Sequence, residues 1–104
     1  MAALIAIYKK PADVEAFEKH YFGTHIPLAK TMPGFRKYEV SCGPIFTLAG
    51  PTDIYLIGAV HFDDLAAMQK AFASPEGKAT ASDRQLYAPD HTGVQIFAFD
   101  TREV

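Results

Sequence analysis

The sequence predicts an α+β domain in which helices cover one face of a four-stranded antiparallel sheet. Three observations lead to this fold class. The chain has 104 residues, the length of one domain, so we expect residues 1–104 to form a single unit. Its hydrophobic patterns follow the order strand, helix, strand, strand, helix, strand. Two of the strand segments are apolar on both faces, which is typical of central strands in a covered sheet.

The first strand and the first helix are predicted at residues 3–8 and 12–30. Residues 3–8 (ALIAIY) are continuously apolar and too few for a helix. Over 12–30, side chains that can be buried recur every three or four positions, as on one helical stripe: Val14, Phe17, Tyr21, His25 and Leu28. Pro27 lacks an amide hydrogen and disfavours the α conformation in the residue before it, so we expect an irregularity near residues 23–26.

Two further strands are predicted at residues 35–42 and 53–62. Residues 35–42 alternate between polar and apolar, which is typical of an edge strand. Residues 53–62 (DIYLIGAVHF) are apolar on both faces. The intervening residues 43–52 are rich in glycine and proline and indicate a loop.

The second helical region and the last strand complete the pattern. Asp63 is placed to cap a helix over residues 64–73, and Ser74-Pro75 suits a helix restart with serine as the cap and proline in the first turn. The restarted helix extends to about Tyr87, and residues 91–99 form the last strand. The resulting β-α-β-β-α-β order predicts a ferredoxin-like sandwich.

The apolar second face of this sheet requires a cover. A sheet with one hydrated face should alternate between polar and apolar residues, which the two strands at residues 3–8 and 53–62 do not. A homodimer in which two copies pack sheet to sheet would bury that face without additional sequence. The alternative is that the loop at residues 43–52 folds over it.

Composition excludes several classes of partner and location. Ten basic and twelve acidic residues are spread without a block of like charge, which argues against nucleic acid and an anionic membrane surface as partners. No uninterrupted apolar segment is long enough to span a membrane. Cys42 is the single cysteine, so no internal disulfide forms, and we expect a cytoplasmic protein with an inert buried thiol.

The sequence carries no recognisable metal or cofactor motif. His20 and His25 are five residues apart, about 140° around a helix, whereas a helical two-histidine site requires three or four. Motifs with Cys-x-x-Cys or His-Glu-x-x-His are absent, as are the glycine-rich nucleotide loops and the Gly-x-Ser-x-Gly hydrolase motif. We therefore expect no metal and no cofactor, and we expect His20, which lies off the buried stripe, to face solvent.

His25 is the main candidate for acid–base chemistry. Its position puts an imidazole, with an ordinary pKa of about 6.5, on the stripe that faces the sheet. The alternative is a structural histidine bonded to a carbonyl or a tyrosine hydroxyl. Three other side chains with polar tips could converge on His25: Tyr8, Tyr21 and His61. Together they would line a mostly apolar small-molecule cavity, and Asp83 or Tyr87 could close its mouth. The alternative for the tyrosines is that they are core residues with hydrated hydroxyls.

Two blocks of the sequence resemble the EthD family, named for ethyl tert-butyl ether degradation. The first is FEKHYFGTHIPL at residues 17–28, followed by MPGFRKY at 32–38. The second is FDDLAA at residues 62–67, followed by SPEG at 74–77 and Asp83. The likeness covers most of the chain in the same order. It implies a ferredoxin-like monomer that dimerises through its sheet into a dimeric α+β barrel.

The same resemblance implies a range of functions. Members of the wider superfamily include cofactor-independent monooxygenases, polyketide decarboxylases or dehydratases, and lactone isomerases, in which a cavity histidine often serves as acid or base. We therefore expect an oxidoreductase, lyase or isomerase acting on a small apolar compound. One alternative is a non-catalytic accessory protein for a separate oxidase, and another is a haem-binding barrel. The expected catalytic residues are His25 and Tyr21, and the expected ligand contacts are Tyr8, Phe17, Leu28, His61, Asp83 and Tyr87.

Overall fold

Four antiparallel strands form one sheet in the computed structural model, which describes residues 1–88 and 93–104. The strands are β1 (Ala2–Lys9), β2 (Lys37–Val40), β3 (Ile54–Phe62) and β4 (Val94–Asp100). Their order is β2-β3-β1-β4, with β1 and β3 paired along the centre and the shorter β2 at one edge. The predicted α+β, ferredoxin-like arrangement is confirmed.

In the described part of the chain, four α-helices and one π-helical turn connect these strands: α1 (Val14–His20), the π turn (Tyr21–His25), α2 (Ile26–Ala29), α3 (Leu65–Ala73) and α4 (Pro75–Tyr87). The irregularity predicted near residues 23–26 therefore takes the form of a wider turn. The Ile26 amide donates to the Tyr21 carbonyl five residues back. Pro27 has no amide to offer, so a regular hydrogen bond from this position to the carbonyl four residues back is impossible.

The helices α1, α3 and α4 begin at polar caps. The Asp13 carboxylate accepts the Ala16 amide at the start of α1, and Ser74 accepts the Gly77 amide at the start of α4, where Pro75 follows as predicted. At α3 the cap is Asp64, which accepts the Ala67 amide at 2.7 Å, and not Asp63. Asp63 instead forms a two-point ion pair with Arg36, both bonds 2.8 Å long.

Some element boundaries differ from the predictions. The strand predicted over residues 35–42 is limited to Lys37–Val40, because the chain before it turns so that Phe35 packs into the helix-side core. Cys42 consequently lies in the following loop and is exposed, so the prediction of a buried thiol is wrong. The last strand begins at Val94, and residues 91–92 of its predicted range lie outside the described residues. None of the described helices combines the length and apolar character needed to cross a membrane.

The two faces of the sheet differ in their cover. On the helix side, Phe62 and Tyr8 are almost completely buried against the helices. On the opposite side, β1 presents Ile5, which is paired with Phe97 of β4 and points the same way. Phe97 is 50% exposed and Phe99 is 44% exposed. This open apolar face is what the two-sided hydrophobic pattern predicted.

Two large apolar side chains of the loop at residues 43–52 are not buried against the open face. Phe46 is 88% exposed and Leu48 is fully exposed. Neither residue therefore replaces the water in contact with the sheet, and the alternative of a self-covering loop is not supported. A partner copy remains the prediction for the cover.

Candidate functional site

A cavity of about 160 Å³ lies between the helix side of the sheet and the helices. Its walls are largely aliphatic: Leu4, Ala6, Ala29, Met32, Val60 and Ile96. A buried apolar cavity of about 150 Å³ in another protein binds benzene, so this one has room for a compound of about one ring. An apolar cavity with a few polar groups is the usual form of a small-molecule site.

Five polar side chains also line this cavity: Tyr8, His25, Tyr38, Thr80 and Arg84. They come from β1, the π turn, β2 and α4, so the site is assembled from segments far apart in the sequence. Tyr8 and His25 were predicted here. Tyr38, Thr80 and Arg84 were not, although Tyr38 lies on the side of β2 that the polar–apolar alternation assigns to the core.

The Asp83 carboxylate lies between two imidazole rings. Its Oδ2 accepts a hydrogen bond from Nδ1 of His25 at 2.9 Å, and its Oδ1 accepts one from Nε2 of His20 at 2.8 Å. A carboxylate accepts and does not donate, so each of these ring nitrogens carries a hydrogen. The side chains of His25 and Asp83 are 7% and 10% exposed. The expectation that His20 faces solvent is wrong, because α4 brings Asp83 against it.

Burial governs the ionisation of His25. It lowers the pKa of the imidazole below its ordinary value of about 6.5, and the hydrogen bond and charge of Asp83 oppose this only in part. His25 is therefore neutral at pH 7, with its single hydrogen on Nδ1. A neutral imidazole in this tautomer offers Nε2 as a proton acceptor.

Nε2 of His25 is available to a ligand. It forms no hydrogen bond within the part of the chain that the structure describes. In that same part, no fully buried side-chain nitrogen or oxygen lacks a partner, so this nitrogen is not sealed inside the protein. His25 also lines the cavity. A base whose other nitrogen is held by a carboxylate is the usual arrangement in general base catalysis.

Four tyrosine hydroxyls near the cavity are paired with one another. Tyr21 and Tyr38 share a hydrogen bond of 2.7 Å, and Tyr8 and Tyr87 share one of 3.1 Å. Burial raises the pKa of all four hydroxyls above the ordinary value, so they stay protonated and can donate. The alternative of core tyrosines with hydrated hydroxyls therefore does not describe these residues.

Aromatic rings hold the imidazole of His25 in place. The Tyr21 ring stacks on it, with centroids 5.7 Å apart and planes 16° apart. The Tyr87 ring meets it edge to face at 5.1 Å. Phe17 packs against Tyr8 and Tyr21 at 5.5 and 5.4 Å and does not line the cavity, so it supports the wall from behind.

Gly58 makes room for the Tyr21 hydroxyl. It lies on β3 facing the helices, where a Cβ atom would approach the Tyr21 hydroxyl oxygen to 2.6 Å. Glycine in the interior of a strand often marks such a close approach. Gly58 was not among the predicted site residues, although a glycine within an otherwise bulky apolar strand was the signal that could have revealed it.

Of the predicted contact residues, Tyr8 lines the cavity, and Asp83 and Tyr87 contact the His25 ring without lining it. The other three do not line the cavity: Phe17, Leu28 and His61. His61 lies on the open face, bonded to Glu39 at 3.0 Å, because Val60 faces the cavity and successive strand residues point to opposite sides. Leu28 is only half-buried, and Ala29 lines the cavity in its place. The π turn inserts one residue into the helix, which shifts the buried stripe by one position.

The described residues contain no group of three or more histidine, cysteine, aspartate or glutamate side chains arranged to hold a metal ion. The grouping of His20, Asp83 and His25 is instead a hydrogen-bonded cluster in which each imidazole contacts a different carboxylate oxygen.

The EthD domain family matches residues 9–93. The chain belongs to the EthD family. A relative from Rhodococcus erythropolis, described as an uncharacterized 11.0 kDa protein in the thcB-thcC intergenic region, is 34% identical over 89 residues, covering 85% of this chain and 84% of that one. The crystal structure of an EthD family protein from Bacillus halodurans C-125 superimposes with a TM-score of 0.86 at 32% identity, over 98% of this chain and 99% of that one. The family resemblance is thereby confirmed.

More distant solved structures show the fold alone. SnoaB of Streptomyces nogalater, described as a cofactor-independent oxygenase, aligns with a TM-score of 0.68 at 14% identity, over 99% of this chain and 94% of that one. A dimeric ferredoxin-like protein of unknown function from Thermobifida fusca YX aligns with a TM-score of 0.66 at 13% identity, over 96% of this chain and 90% of that one. Proteins with this fold thus include a dimer and an oxygenase.

Proposed function

We propose that this EthD family protein is an enzyme in which His25, oriented by Asp83, acts as a general base on a small, largely apolar organic compound. The observation that carries the proposal is the hydrogen bond of 2.9 Å that fixes the hydrogen on Nδ1 and leaves Nε2 unpaired at an apolar cavity. Substrate binding displaces water from such a cavity. Hydrogen bonds and charges that stabilise the transition state of proton transfer are stronger in a site without water.

The proposed step is the transfer of a proton from substrate carbon or oxygen to Nε2. The electron pair of the broken bond stays on the substrate, which becomes an anion, and Asp83 stabilises the imidazolium that forms. Reprotonation at another atom would give an isomerase, loss of a leaving group a lyase, and reaction with molecular oxygen an oxygenase. The fold shared with the cofactor-independent oxygenase SnoaB supports the last of these.

The tyrosines have separate proposed roles. Tyr21 restricts the rotation of the His25 ring by stacking on it, so it is a positioning residue. Tyr8 lines the cavity and contacts substrate, whereas Tyr87 positions the Tyr8 hydroxyl. We assign no substrate contact to Phe17, Leu28 and His61, because they do not line the cavity.

A non-catalytic carrier is the second candidate function. The walls of the cavity are mostly aliphatic, which suits binding of a hydrophobic compound for delivery to a separate oxidase. A carrier needs the cavity and not the unpaired nitrogen. Replacement of His25 therefore distinguishes the two candidates.

We also propose that two copies pack through their open sheet faces. The support is the exposure of Phe97 and Phe99 beside the aliphatic residues of β1, and the dimer described for the Thermobifida fusca protein of the same fold. The cavity lies on the other side of the sheet from this interface, so both copies would keep their own site. The cytoplasmic location expected from the single cysteine stays a prediction.

The proposed base is tested by solvent exchange, which does not require knowledge of the natural reaction. Cyclohexanone is incubated with the protein in heavy water, and loss of the α-proton signal is followed by NMR. We expect His25→Gln to slow exchange by roughly 100-fold or more while cyclohexanone binding stays within a few fold. His61→Gln is the matched control, since that histidine lies on the open face. Equal exchange by the His25→Gln protein would overturn the proposal, and binding without exchange by the wild type would favour the carrier.

A further inference from the structure

Arg84 lines the cavity together with His25 and Tyr8, although its role is not explained by the proposed base. It follows Asp83 on α4 and is half-buried. Its Nη1 donates to the Ala88 carbonyl at 2.8 Å, which anchors the side chain at the end of the helix. A guanidinium carries five N–H donors in a planar fork, so it can hold one carbonyl and other groups at the same time.

The positive charge of Arg84 acts on the same two groups that face the ligand. Burial is the larger influence on both groups, since it lowers the pKa of His25 and raises the pKa of the Tyr8 hydroxyl, and the charge of Arg84 acts to lower both pKa values. Arg84 is thus close enough to the space between His25 and Tyr8 for its charge to be felt there. A cation at a mostly apolar cavity favours an anion as its neighbour, because water screens the interaction little.

The other charged and polar side chains around His25 are less suited than Arg84 to bind an anion. Asp83 faces it from α4 and His20 from α1, and these two bond each other. Tyr21 of the π turn and Tyr38 of β2 are paired neutral hydroxyls. Among these neighbours, Arg84 is the group with a permanent positive charge.

We propose that Arg84 binds the oxygen anion of the substrate, and that the substrates are compounds of about one ring with an ionisable oxygen: phenols and enolisable cyclic ketones. This inference rests on the proposed function, because His25 supplies the base. Nε2 takes the proton, the O–H or C–H bond breaks, and its electron pair is left on the substrate as a phenolate or enolate. The anion lies against the guanidinium, and the imidazolium lies against Asp83. No electron is transferred to or from the protein.

The test uses 4-nitrophenol, whose anion absorbs at longer wavelength than the neutral form, and nitrobenzene, which has nearly the same shape and no ionisable hydroxyl. Both are titrated into the wild type, Arg84→Gln, Arg84→Lys and Arg102→Gln proteins at a pH slightly below the pKa of free 4-nitrophenol. Arg102 is an exposed arginine and serves as the control. Arg84→Lys keeps the charge, and nitrobenzene affinity reports whether each variant retains a folded cavity.

We expect the wild type and Arg102→Gln proteins to bind 4-nitrophenol as its anion and to prefer it over nitrobenzene. Arg84→Gln should lose this preference by roughly tenfold or more and return the bound ligand to the neutral spectrum, with nitrobenzene affinity unchanged. Arg84→Lys should restore part of the preference. A wild type that binds both compounds equally, or an Arg84→Gln protein that keeps the anion spectrum, would overturn the inference about Arg84 and leave the proposed base untouched. Failure of the wild type to bind either compound would overturn both.

Discussion

His25 and Asp83 are joined, across 58 residues of sequence, by a hydrogen bond of 2.9 Å between Nδ1 and Oδ2. The bond connects the π turn to α4 and is almost completely buried. It fixes which nitrogen of His25 carries the hydrogen, and so leaves Nε2 as the acceptor at the cavity. The proposed chemistry depends on this relationship more than on any other in the molecule.

Replacing Asp83 by Asn should therefore impair catalysis more than substrate binding. The amide can donate to Nδ1, which would favour the tautomer with its hydrogen on Nε2 and remove the acceptor from the cavity. We expect the rate of cyclohexanone exchange at saturation to fall by roughly 10- to 100-fold with little change in the half-saturating concentration. His20→Gln leaves the His25 bond in place and should have a smaller effect. A larger loss in His20→Gln than in Asp83→Asn would contradict this assignment.

Stability should depend on the ionisation of His25. Because its folded-state pKa is below the ordinary value of about 6.5, the unfolded chain binds more protons in the interval between the two values. The free energy of unfolding is then fully retained above about pH 6.5 and decreases as the pH falls below it. Urea unfolding between about pH 5.5 and pH 7.5 measures this slope. His25→Gln should reduce this slope, and a slope equal to that of the wild type would show that His25 makes no contribution.

Gly58→Ala should disturb the tyrosine pair beneath the helix. The added Cβ would lie 2.6 Å from the Tyr21 hydroxyl oxygen, which must move away from Tyr38. We expect a loss of about 1–3 kcal/mol in the free energy of unfolding, through overpacking and a weakened buried hydrogen bond. Gly23→Ala is the control, because a Cβ there meets nothing within 4 Å. Denaturant unfolding of both variants provides the comparison, and equal stability of the two would be contrary to the expected effect.

Gly77→Ala should be more damaging than Gly58→Ala. Its Cβ would clash with the Ala71 carbonyl oxygen and with the Cα of Phe72, at the junction of α3 and α4. Backbone atoms cannot move aside as a side chain can, so the two helices would have to separate. We expect a loss of about 3 kcal/mol or more, seen as a lower unfolding midpoint. A midpoint equal to that of the wild type would mean that the helices are not packed this closely.

Charge on the open face should disrupt the proposed dimer. Phe97 and Phe99 are exposed aromatic residues on that face, so Phe97→Asp should abolish association, because a buried unpaired carboxylate is costly. Leu86→Asp is the control, since Leu86 is exposed on α4. Light scattering should give twice the chain mass of 11.4 kDa for the wild type and for Leu86→Asp, and the single-chain mass for Phe97→Asp. A wild type that stays monomeric would exclude the dimer.

Hydrophobic periodicity was sufficient to predict most of the fold. The continuous apolar segments became the two central strands, and Ser74 caps α4. These features depend on local chemistry and on the period of helices and strands. Pro27 likewise indicated an irregular helix, although not that the irregularity would be a π turn.

The site was only partly predictable because its geometry depends on distant segments. His20 was assigned to solvent from its place on the helix, and its bond to Asp83 requires knowledge of where α4 packs. Leu28 was predicted at the buried position because a regular helical period was assumed. The π turn adds one residue, which moves that position to Ala29. Predicting that His61 lies outside the cavity requires knowing which face of β3 packs against the helices. Arg84 belongs to no recognisable motif, so nothing in the sequence indicated its place at the cavity.

The proposed role of His25 is tested most directly by nitrogen-15 NMR titration of its ring in the folded protein, with Asp83→Asn as the reference. We predict a neutral ring at pH 7 with its hydrogen on Nδ1, a pKa below about 6.5, and an Nε2 resonance that shifts when 4-nitrophenol is added. A ring protonated on both nitrogens at pH 7, or a neutral ring with its hydrogen on Nε2, would contradict it.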